Sequence, residues 1–304
     1  ETAFMASWSA GDRTRSFLQV QDGCDYHCAY CTVPLARGRS RNPMIPELVS
    51  EAKAIIATGV KEIVLTGVNV GDFGKSTGET LEDLLKVLVR TEGIERLRLS
   101  SIEPNLLTDK IIELVSAEPA LMPHIHMPLQ SGNDKILGLM RRRYRREVFS
   151  DRVMRIKELM PHASVGADVI VGFPGETDED FKDTFHFLEG LPLSYLHVFS
   201  FSPRPGTPAA DMPEVVRPAE KERRSKQLIR LSESRHTLFL RTLSGTVSEV
   251  LLEKGNTNGM IAGFTGNYIR VTVPFRKGLS GTIQKIRLTT LRDDGGMNGE
   301  IIET

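Results

Sequence analysis

Residues 24–31 read CDYHCAYC, and they contain all three cysteines of the 304-residue chain. The run FLQVQD (17–22) precedes them and predicts a short buried strand that leads into a cysteine loop. An odd number of cysteines packed this closely is a poor disulfide framework and indicates a metal site instead. Free thiols of this kind belong in a reducing compartment, so we expect a cytoplasmic protein.

Beyond the cysteine loop, helical and strand patterns alternate. Helices are predicted over 46–58, 80–90, 108–115, 132–140, 145–160 and 178–188, and strands over 61–67, 96–101, 124–129, 164–173 and 195–201. With the first strand they make six β/α units, whose apolar strands are typical of parallel sheets. Since such crossovers are right-handed, the α/β pattern favours a partial (β/α)6 barrel, with a doubly wound open sheet as the alternative.

The pattern changes after a long charged helix predicted over 217–240. Over 244–302, short alternating strands are separated by turn residues such as NTNG (256–259) and TGN (265–267). This spacing predicts a small antiparallel β-barrel. We therefore expect two domains, residues 1–241 with the linking helix and residues 242–304.

The composition sets limits on the class of protein. Thirty-nine basic side chains balance thirty-nine acidic ones, so any footprint for nucleic acid must be local. No apolar run approaches the ~20 residues of a membrane span, and no signal peptide opens the chain, so we expect no membrane partner. The chain begins with Glu1 rather than Met, and we expect it to be a fragment or a processed form.

Three thiolates from one short loop, Cys24, Cys28 and Cys31, can ligate three corners of a [4Fe–4S] cube. The fourth iron then lacks a protein ligand and can chelate the amino and carboxylate groups of S-adenosylmethionine. The alternative is a Cys3His zinc site using His27 or another histidine, in an RNA-binding module without catalysis. Tyr30 is a candidate for packing on the adenine, or a core aromatic.

The cysteine loop and its surroundings resemble the radical S-adenosylmethionine methylthiotransferases. The loop matches their C-x3-C-x-aromatic-C signature. The other matching segments are RLRLSSIEP (96–104), HMPLQSGNDKILGLMRRRY (126–144), DVIVGFPGETDEDF (168–181) and HVFSFSPRPGTPAADM (197–212). The segment GFTGNYIRVTV (263–273) resembles the family's TRAM domain. Within the family, the resemblance favours bacterial enzymes acting on N6-threonylcarbamoyladenosine at tRNA position 37. Isopentenyl-adenosine tRNA and an aspartate of ribosomal protein S12 are the alternative substrates.

The resemblance implies a transferase reaction. A donor such as flavodoxin or ferredoxin reduces the cluster, and cleavage of S-adenosylmethionine gives a 5′-deoxyadenosyl radical. This radical removes hydrogen from C2 of the modified adenine, and a methylthio group is inserted there. Full-length members carry a second [4Fe–4S] cluster on three further cysteines of an N-terminal domain. Since this chain has no cysteine beyond Cys31, we expect it to cleave S-adenosylmethionine without methylthiolation.

Candidate contacts with S-adenosylmethionine follow the predicted strands, at the face where parallel barrels collect their sites. The resemblance implies that the residues after the second strand, here a glycine and an asparagine, bind the methionine amino group, although these residues also suit a plain turn. A carboxylate after the third strand suits the ribose hydroxyls. The family motif M-x-R-x-Y places an arginine near the cofactor carboxylate, and we take Arg143 as the candidate. The cofactor candidates are Tyr30, Gly67, Asn69, Ser101, Glu103, Gln130, Arg143, Asp168 and Gly172.

Basic and aromatic residues supply the candidate RNA contacts. Five arginines lie within residues 141–146, where they meet tRNA phosphates or form a solvated helix end. Aromatic residues among basic ones in the C-terminal barrel suit the unpaired bases of an anticodon loop, although they also suit a core. The RNA candidates are Arg141, Arg142, Arg145, Tyr268, Arg270, Arg276 and Lys277. His126, on an apolar strand, is expected to be a satisfied core histidine.

Overall fold

Two β-structures make up the fold, an open arc of parallel strands and a closed barrel. The computed structural model describes residues 7–9 and 14–302. The strands of the first part are β1 (Ser7–Trp8), β2 (Arg15–Gln19), β3 (Glu62–Thr66), β4 (Arg96–Leu99), β5 (His124–Gln130), β6 (Ser164–Val171) and β7 (Tyr195–Ser200). The helices are α1 (Val33–Arg37), α2 (Ile45–Ala57), α3 (Leu81–Val89), α4 (Asp109–Ala117), α5 (Asp134–Leu139), α6 (Arg146–Leu159), α7 (Asp178–Glu189) and α8 (Pro218–Leu243).

Strands β2 to β7 lie side by side in chain order, and every pair that the sheets contain among them is parallel. Isolated parallel bridges, Leu97 with Leu121 and Ser101 with His126, connect the sheet ending at β4 to the sheet beginning at β5. Strand β1 pairs antiparallel with β2 at the other edge. This sequential order confirms the partial (β/α)6 barrel, because a doubly wound sheet would reverse its strand order at a switch point.

The helices pack on the arc through apolar faces that their sequences prescribe. In α3 four leucines at helical spacing are buried, and the Thr80 hydroxyl caps the helix by accepting the Asp83 N–H at 3.1 Å. Helix α7 begins with a capping box between Thr177 and Asp180. None of the helices in the described residues combines the length and apolarity needed to cross a membrane.

The C-terminal strands form a closed five-stranded barrel with its own apolar core. They are β8 (Val247–Leu252), β9 (Met260–Thr265), β10 (Arg270–Pro274), β11 (Ile283–Leu291) and β12 (Met297–Ile301). The predicted small antiparallel barrel is confirmed, with one parallel pair, β10 and β12, in which Val271 lies opposite Met297. An odd number of strands cannot alternate in direction around a closed ring, so one parallel pair is required.

The C-terminal barrel docks against the amino-terminal ends of the parallel strands. The Arg98 guanidinium donates to the Gly266 carbonyl at 2.8 Å, and Arg96 donates to the Glu249 carbonyl at 3.0 Å. Glu62 accepts from Arg98 Nε at 2.8 Å. Helix α8 ends three residues beyond its predicted end, and the division of the chain at residue 241 stays a prediction. The cysteine loop follows β2, at the carboxyl-terminal ends of the strands.

Candidate active site

The cysteine loop is fastened by backbone and ionic contacts at its base. The Cys24 N–H donates to the Gly38 carbonyl at 3.0 Å, and the Asp22 carboxylate accepts from Arg37 and Arg41 at 2.9 and 2.6 Å. At Gly23, φ is +69° and an added Cβ would lie 2.0 Å from the Arg39 carbonyl oxygen, so only glycine fits. The protein itself therefore fixes the shape of this loop.

Each thiol of the loop has a hydrogen-bond donor beside it. The Tyr26 N–H lies 3.4 Å from Cys24 Sγ, and the Val33 N–H lies 3.5 Å from Cys31 Sγ. Arg142 Nη1 donates to Cys28 Sγ at 3.2 Å. Burial, with smaller contributions from acidic and thiol neighbours, raises the pKa of Cys24 to about 11, and burial also raises the pKa of Cys28. Donors to sulfur are a feature of iron–sulfur sites, where they adjust the reduction potential.

The loop offers three thiols as ligands for a cluster. The three cysteines are free in the described structure, and each sulfur has a hydrogen-bond donor beside it. Three thiolates can ligate three corners of a [4Fe–4S] cube. The residues present therefore fit a [4Fe–4S] cluster, and a Cys3His zinc site with His27, which is exposed in the same loop, stays the alternative.

Arg142 and Arg143 of the arginine cluster lie elsewhere than their predicted roles require. Its side chain is 3% exposed, forms an ion pair with Glu103 and donates to the Tyr30 hydroxyl at 3.3 Å. A guanidinium buried in this way is withheld from RNA phosphates, so the predicted RNA contact is wrong for Arg142. Arg143, the predicted cofactor contact, donates to the Asp25 carbonyl and lies 4.1 Å over the Tyr26 ring, on the exposed side of the loop.

Glu103 is held in place by this arginine. Burial raises the pKa of the Glu103 carboxyl, and the Arg142 guanidinium opposes that effect. The structure thus brings Glu103, Tyr30 and Cys28 together around Arg142. The sequence could have indicated Arg142 instead of Arg143, because the motif M-x-R-x-Y beginning at Met140 places its arginine at 142.

Besides Glu103, four of the predicted contacts lie in the segments after β3 and β4 and at the last residue of β5. Asn69 is 4% exposed, and neither atom of its side-chain amide has a hydrogen-bond partner in the described structure. Gly67 packs against Gln21, whose Oε1 would lie 2.9 Å from an added Cβ. Ser101 is exposed, and Gln130 has a positive φ of 69° at the end of β5. A buried amide without a partner at this end of the barrel is a candidate ligand for a bound cofactor.

Gly172 begins the turn after β6 and is enclosed by side chains of the protein itself. Its N–H donates to Glu176 at 2.6 Å, and Glu176 pairs with the buried Arg224 at 2.6 Å. An added Cβ at Gly172 would lie 2.4 Å from a Lys221 side-chain carbon. The contact of Gly172 with S-adenosylmethionine therefore stays a prediction.

Asp168 lies deeper in the barrel, on β6, between histidines of the two neighbouring strands. Its Oδ1 is 2.8 Å from His126 Nε2 and 3.3 Å from His197 Nδ1. Burial raises the pKa of Asp168, but the hydrogen bonds from both histidines outweigh burial and lower it to about 2. His126 itself is 6% exposed and both of its ring nitrogens have partners, as expected of a satisfied core histidine. Its contact with Asp168 depends on the strand register, which composition does not give.

The remaining RNA candidates divide into two groups. Arg141 and Arg145 are exposed beside α5 and α6, near the cysteine loop. Tyr268 lies between the two β-structures, with its ring 4.9 Å from that of His124 and 4.5 Å from the Arg98 guanidinium. The other candidates, Arg270, Arg276 and Lys277, are exposed on the C-terminal barrel.

Known proteins have sequences similar to that of this chain. The model of the Radical SAM superfamily matches residues 18–188. The chain is 39% identical over 285 residues to the threonylcarbamoyladenosine tRNA methylthiotransferase MtaB of Bacillus subtilis (strain 168), covering 91% of this chain and 63% of that protein. It is 36% identical to the tRNA-2-methylthio-N(6)-dimethylallyladenosine synthase of Desulfitobacterium hafniense (strain Y51), covering 94% and 65%. The chain thus spans less than two thirds of either relative.

A solved structure has a similar fold. The radical S-adenosylmethionine methyltransferase TsrM from Kitasatospora setae superimposes with a TM-score of 0.55 at 19% identity. The match covers 64% of this chain and 38% of that one. At this identity the likeness concerns the fold alone.

Proposed function

The chain belongs to the Radical SAM superfamily, and we propose that it is the S-adenosylmethionine-cleaving part of a tRNA methylthiotransferase. The observation that carries the proposal is the cysteine loop. Three thiols stand after β2, at the carboxyl-terminal ends of the parallel strands, and each has a hydrogen-bond donor beside it. The loop supports a [4Fe–4S] cluster ligated by Cys24, Cys28 and Cys31.

The cluster and S-adenosylmethionine, when bound, supply a one-electron cleavage of the cofactor's C–S bond, which begins radical chemistry on a substrate. The chain's own residues position these groups. The Tyr26 and Val33 N–H groups and Arg142 donate to the three sulfurs. The carboxylate of Glu103, oriented by Arg142, is our candidate for the ribose hydroxyls. The unpartnered amide of Asn69 is our candidate for the methionine end of the cofactor.

We further propose that the substrate is tRNA carrying N6-threonylcarbamoyladenosine at position 37, and that the product bears a methylthio group at C2. The similarity to the Bacillus subtilis protein supports this choice. The similarity to a dimethylallyladenosine synthase supports the runner-up substrate, isopentenyl-adenosine tRNA. The exposed Arg141 and Arg145 beside the cysteine loop suit phosphates flanking the target nucleoside.

The first test is reductive cleavage of S-adenosylmethionine by the 304-residue chain. After anaerobic reconstitution, we expect a brown protein with about four irons, because the cube holds four. With dithionite it should release 5′-deoxyadenosine, measured by liquid chromatography and mass spectrometry. Cys28→Ala should abolish both. His27→Ala is the matched control, since His27 is exposed in the same loop and should keep both. A colourless protein that binds one zinc through His27 would reject the proposal.

The second test concerns the substrate. Nucleoside mass spectrometry of tRNA from a strain lacking the gene should show loss of the methylthio mark on threonylcarbamoyladenosine. Loss on isopentenyl-adenosine instead would favour the runner-up. With the purified 304 residues we expect cleavage without methylthiolation, since these residues offer three cysteines and hence one such cluster. Methylthiolated tRNA from these residues alone would contradict that expectation.

A further inference from the structure

Three potential metal ligands meet inside the partial barrel, on three neighbouring strands. They are His126 on β5, Asp168 on β6 and His197 on β7, and one ligand atom from each lies within 4.8 Å of the others. Asp168 and His197 are direct partners in the strand register. Strand β7 is the last strand of the arc, and the His197 side chain is 56% exposed. The group can therefore be reached from outside through the open side of the barrel.

The spacing of these atoms suits a metal ion. Bonds of about 2.1 Å from nitrogen or oxygen place neighbouring ligands about 3.0 Å apart in an octahedron and about 3.4 Å apart in a tetrahedron. The Asp168 oxygen lies 2.8 Å from His126 Nε2 and 3.3 Å from His197 Nδ1. Small side-chain adjustments would bring these atoms to a shared ion.

The ring of His126 is oriented by a second layer of contacts. Its Nδ1 lies 3.0 Å from the Tyr195 hydroxyl, which also lies 2.8 Å from His124 Nε2. The Tyr195 ring crosses Gly166, where an added Cβ would lie 2.1 Å from a ring carbon. Metal-binding histidines usually have their second nitrogen held in this way, which fixes the tautomer and the ring direction.

The charge of the group also favours a cation. The Asp168 side chain is 21% exposed, and its Oδ1 has the two histidine rings as neighbours, at 2.8 Å and 3.3 Å. With neutral imidazoles, the three side chains carry a net charge of −1 in a partly buried place. Buried charges are paired or coordinate metals, and two imidazoles with one carboxylate are ligands for first-row transition metals.

We propose that His126, Asp168 and His197 bind one divalent transition-metal ion, with open coordination positions facing the exposed side of the barrel. The site is distinct from the cysteine loop and does not depend on the proposed tRNA substrate. It would take an ion such as Zn²⁺, and an oxygen donor can occupy the open positions.

Cobalt binding tests the site directly. In the full chain with Cys24→Ser, Cys28→Ser and Cys31→Ser, no thiol competes for the ion. We expect one Co²⁺ per chain, with visible d–d absorption and no thiolate charge-transfer band, and displacement of Co²⁺ by Zn²⁺. His126→Ala, Asp168→Asn and His197→Ala should each weaken Co²⁺ binding at least a hundredfold. Tyr195→Phe should weaken it about tenfold, as measured for other second-layer partners.

His186→Ala is the matched control, because His186 lies on α7 outside the group and should leave Co²⁺ binding unchanged. Circular dichroism establishes that each variant is folded. If Asp168→Asn fails to fold, His197→Ala decides, since its side chain is more than half exposed. A folded triple-serine variant that binds no Co²⁺ overturns the proposal. Binding that persists at full strength in folded Asp168→Asn or His197→Ala also overturns it.

Discussion

Two sets of buried polar groups, one at each end of the partial barrel, differ in whether the protein itself satisfies them. At the amino-terminal end, Glu62 is 0% exposed and Arg96 and Arg98 are each 3% exposed. The guanidinium groups of both arginines donate to carbonyls of the C-terminal barrel, and Arg98 also donates to Glu62. At the carboxyl-terminal end, the amide of Asn69 is buried without a partner in the described structure, and three thiols share one loop.

This difference separates a structural end from a functional one. A buried polar network that is fully satisfied by the protein stabilises one arrangement of the chain. Buried groups that the protein leaves unsatisfied are costly, and they are retained where a ligand completes them. The amino-terminal end thus holds the C-terminal barrel in place, whereas the carboxyl-terminal end is arranged for a cofactor.

The largest effect is expected at the satisfied end. Glu62→Gln removes the carboxylate that faces Arg98 and leaves this buried guanidinium without its counter-charge, whereas Arg96 keeps Glu249 at 3.8 Å. We expect the free energy of unfolding to fall by about 3–5 kcal/mol, as for other buried pairs that lose one partner. Urea denaturation followed by circular dichroism measures it.

Glu95→Gln is the matched control for that change. Glu95 pairs with Lys61 on the surface, where the two side chains are 43% and 39% exposed. Exposed pairs contribute less than about 1 kcal/mol, so this variant should unfold almost as the unchanged chain does. Equal losses from Glu62→Gln and Glu95→Gln would show that the amino-terminal network is not a special source of stability.

The sequence predicts the parallel arc well because its strands are short, apolar and separated by amphipathic helices. It predicts the cysteine loop for the same local reason, since three ligands lie within residues 24–31. Contacts between distant segments are different. Tyr268 has aromatic and basic neighbours in the sequence, yet it packs on His124, which lies far from it along the chain.

The roles of the individual arginines in the cluster could not be predicted from their local sequence. Arg142 and Arg143 are chemically identical neighbours, and only the path of the backbone turns Arg142 inward to Glu103. The group around Asp168 depends likewise on the register of β5, β6 and β7, which side-chain chemistry alone does not specify.

An intermediate effect is expected from Arg142→Lys at the carboxyl-terminal end, where the protein itself satisfies this guanidinium. Lysine keeps the charge but lacks the planar fork that meets Glu103, Cys28 and Tyr30 together. We expect a stability loss of about 1–3 kcal/mol, the cost of leaving a buried group without its hydrogen bond. Urea denaturation of the cluster-free chain measures it. Arg143→Lys is the control, and a larger loss there than in Arg142→Lys would restore Arg143 as the central arginine.

The smallest effect on stability, and the sharpest test of the comparison, is expected from Asn69→Ala. The Asn69 side-chain amide has no partner to lose in the described structure, while its backbone N–H keeps its 2.8 Å bond to Gln21 Oε1. Because removing an unsatisfied buried group is nearly neutral, we expect the free energy of unfolding of the cluster-free chain to change by less than about 0.5 kcal/mol. The reconstituted variant should bind S-adenosylmethionine about tenfold more weakly by equilibrium dialysis, since one hydrogen bond to a charged group is worth about 1.5 kcal/mol. A stability loss above about 2 kcal/mol without any ligand would mean that the protein already satisfies this amide. The two ends of the barrel would then not differ in the way proposed.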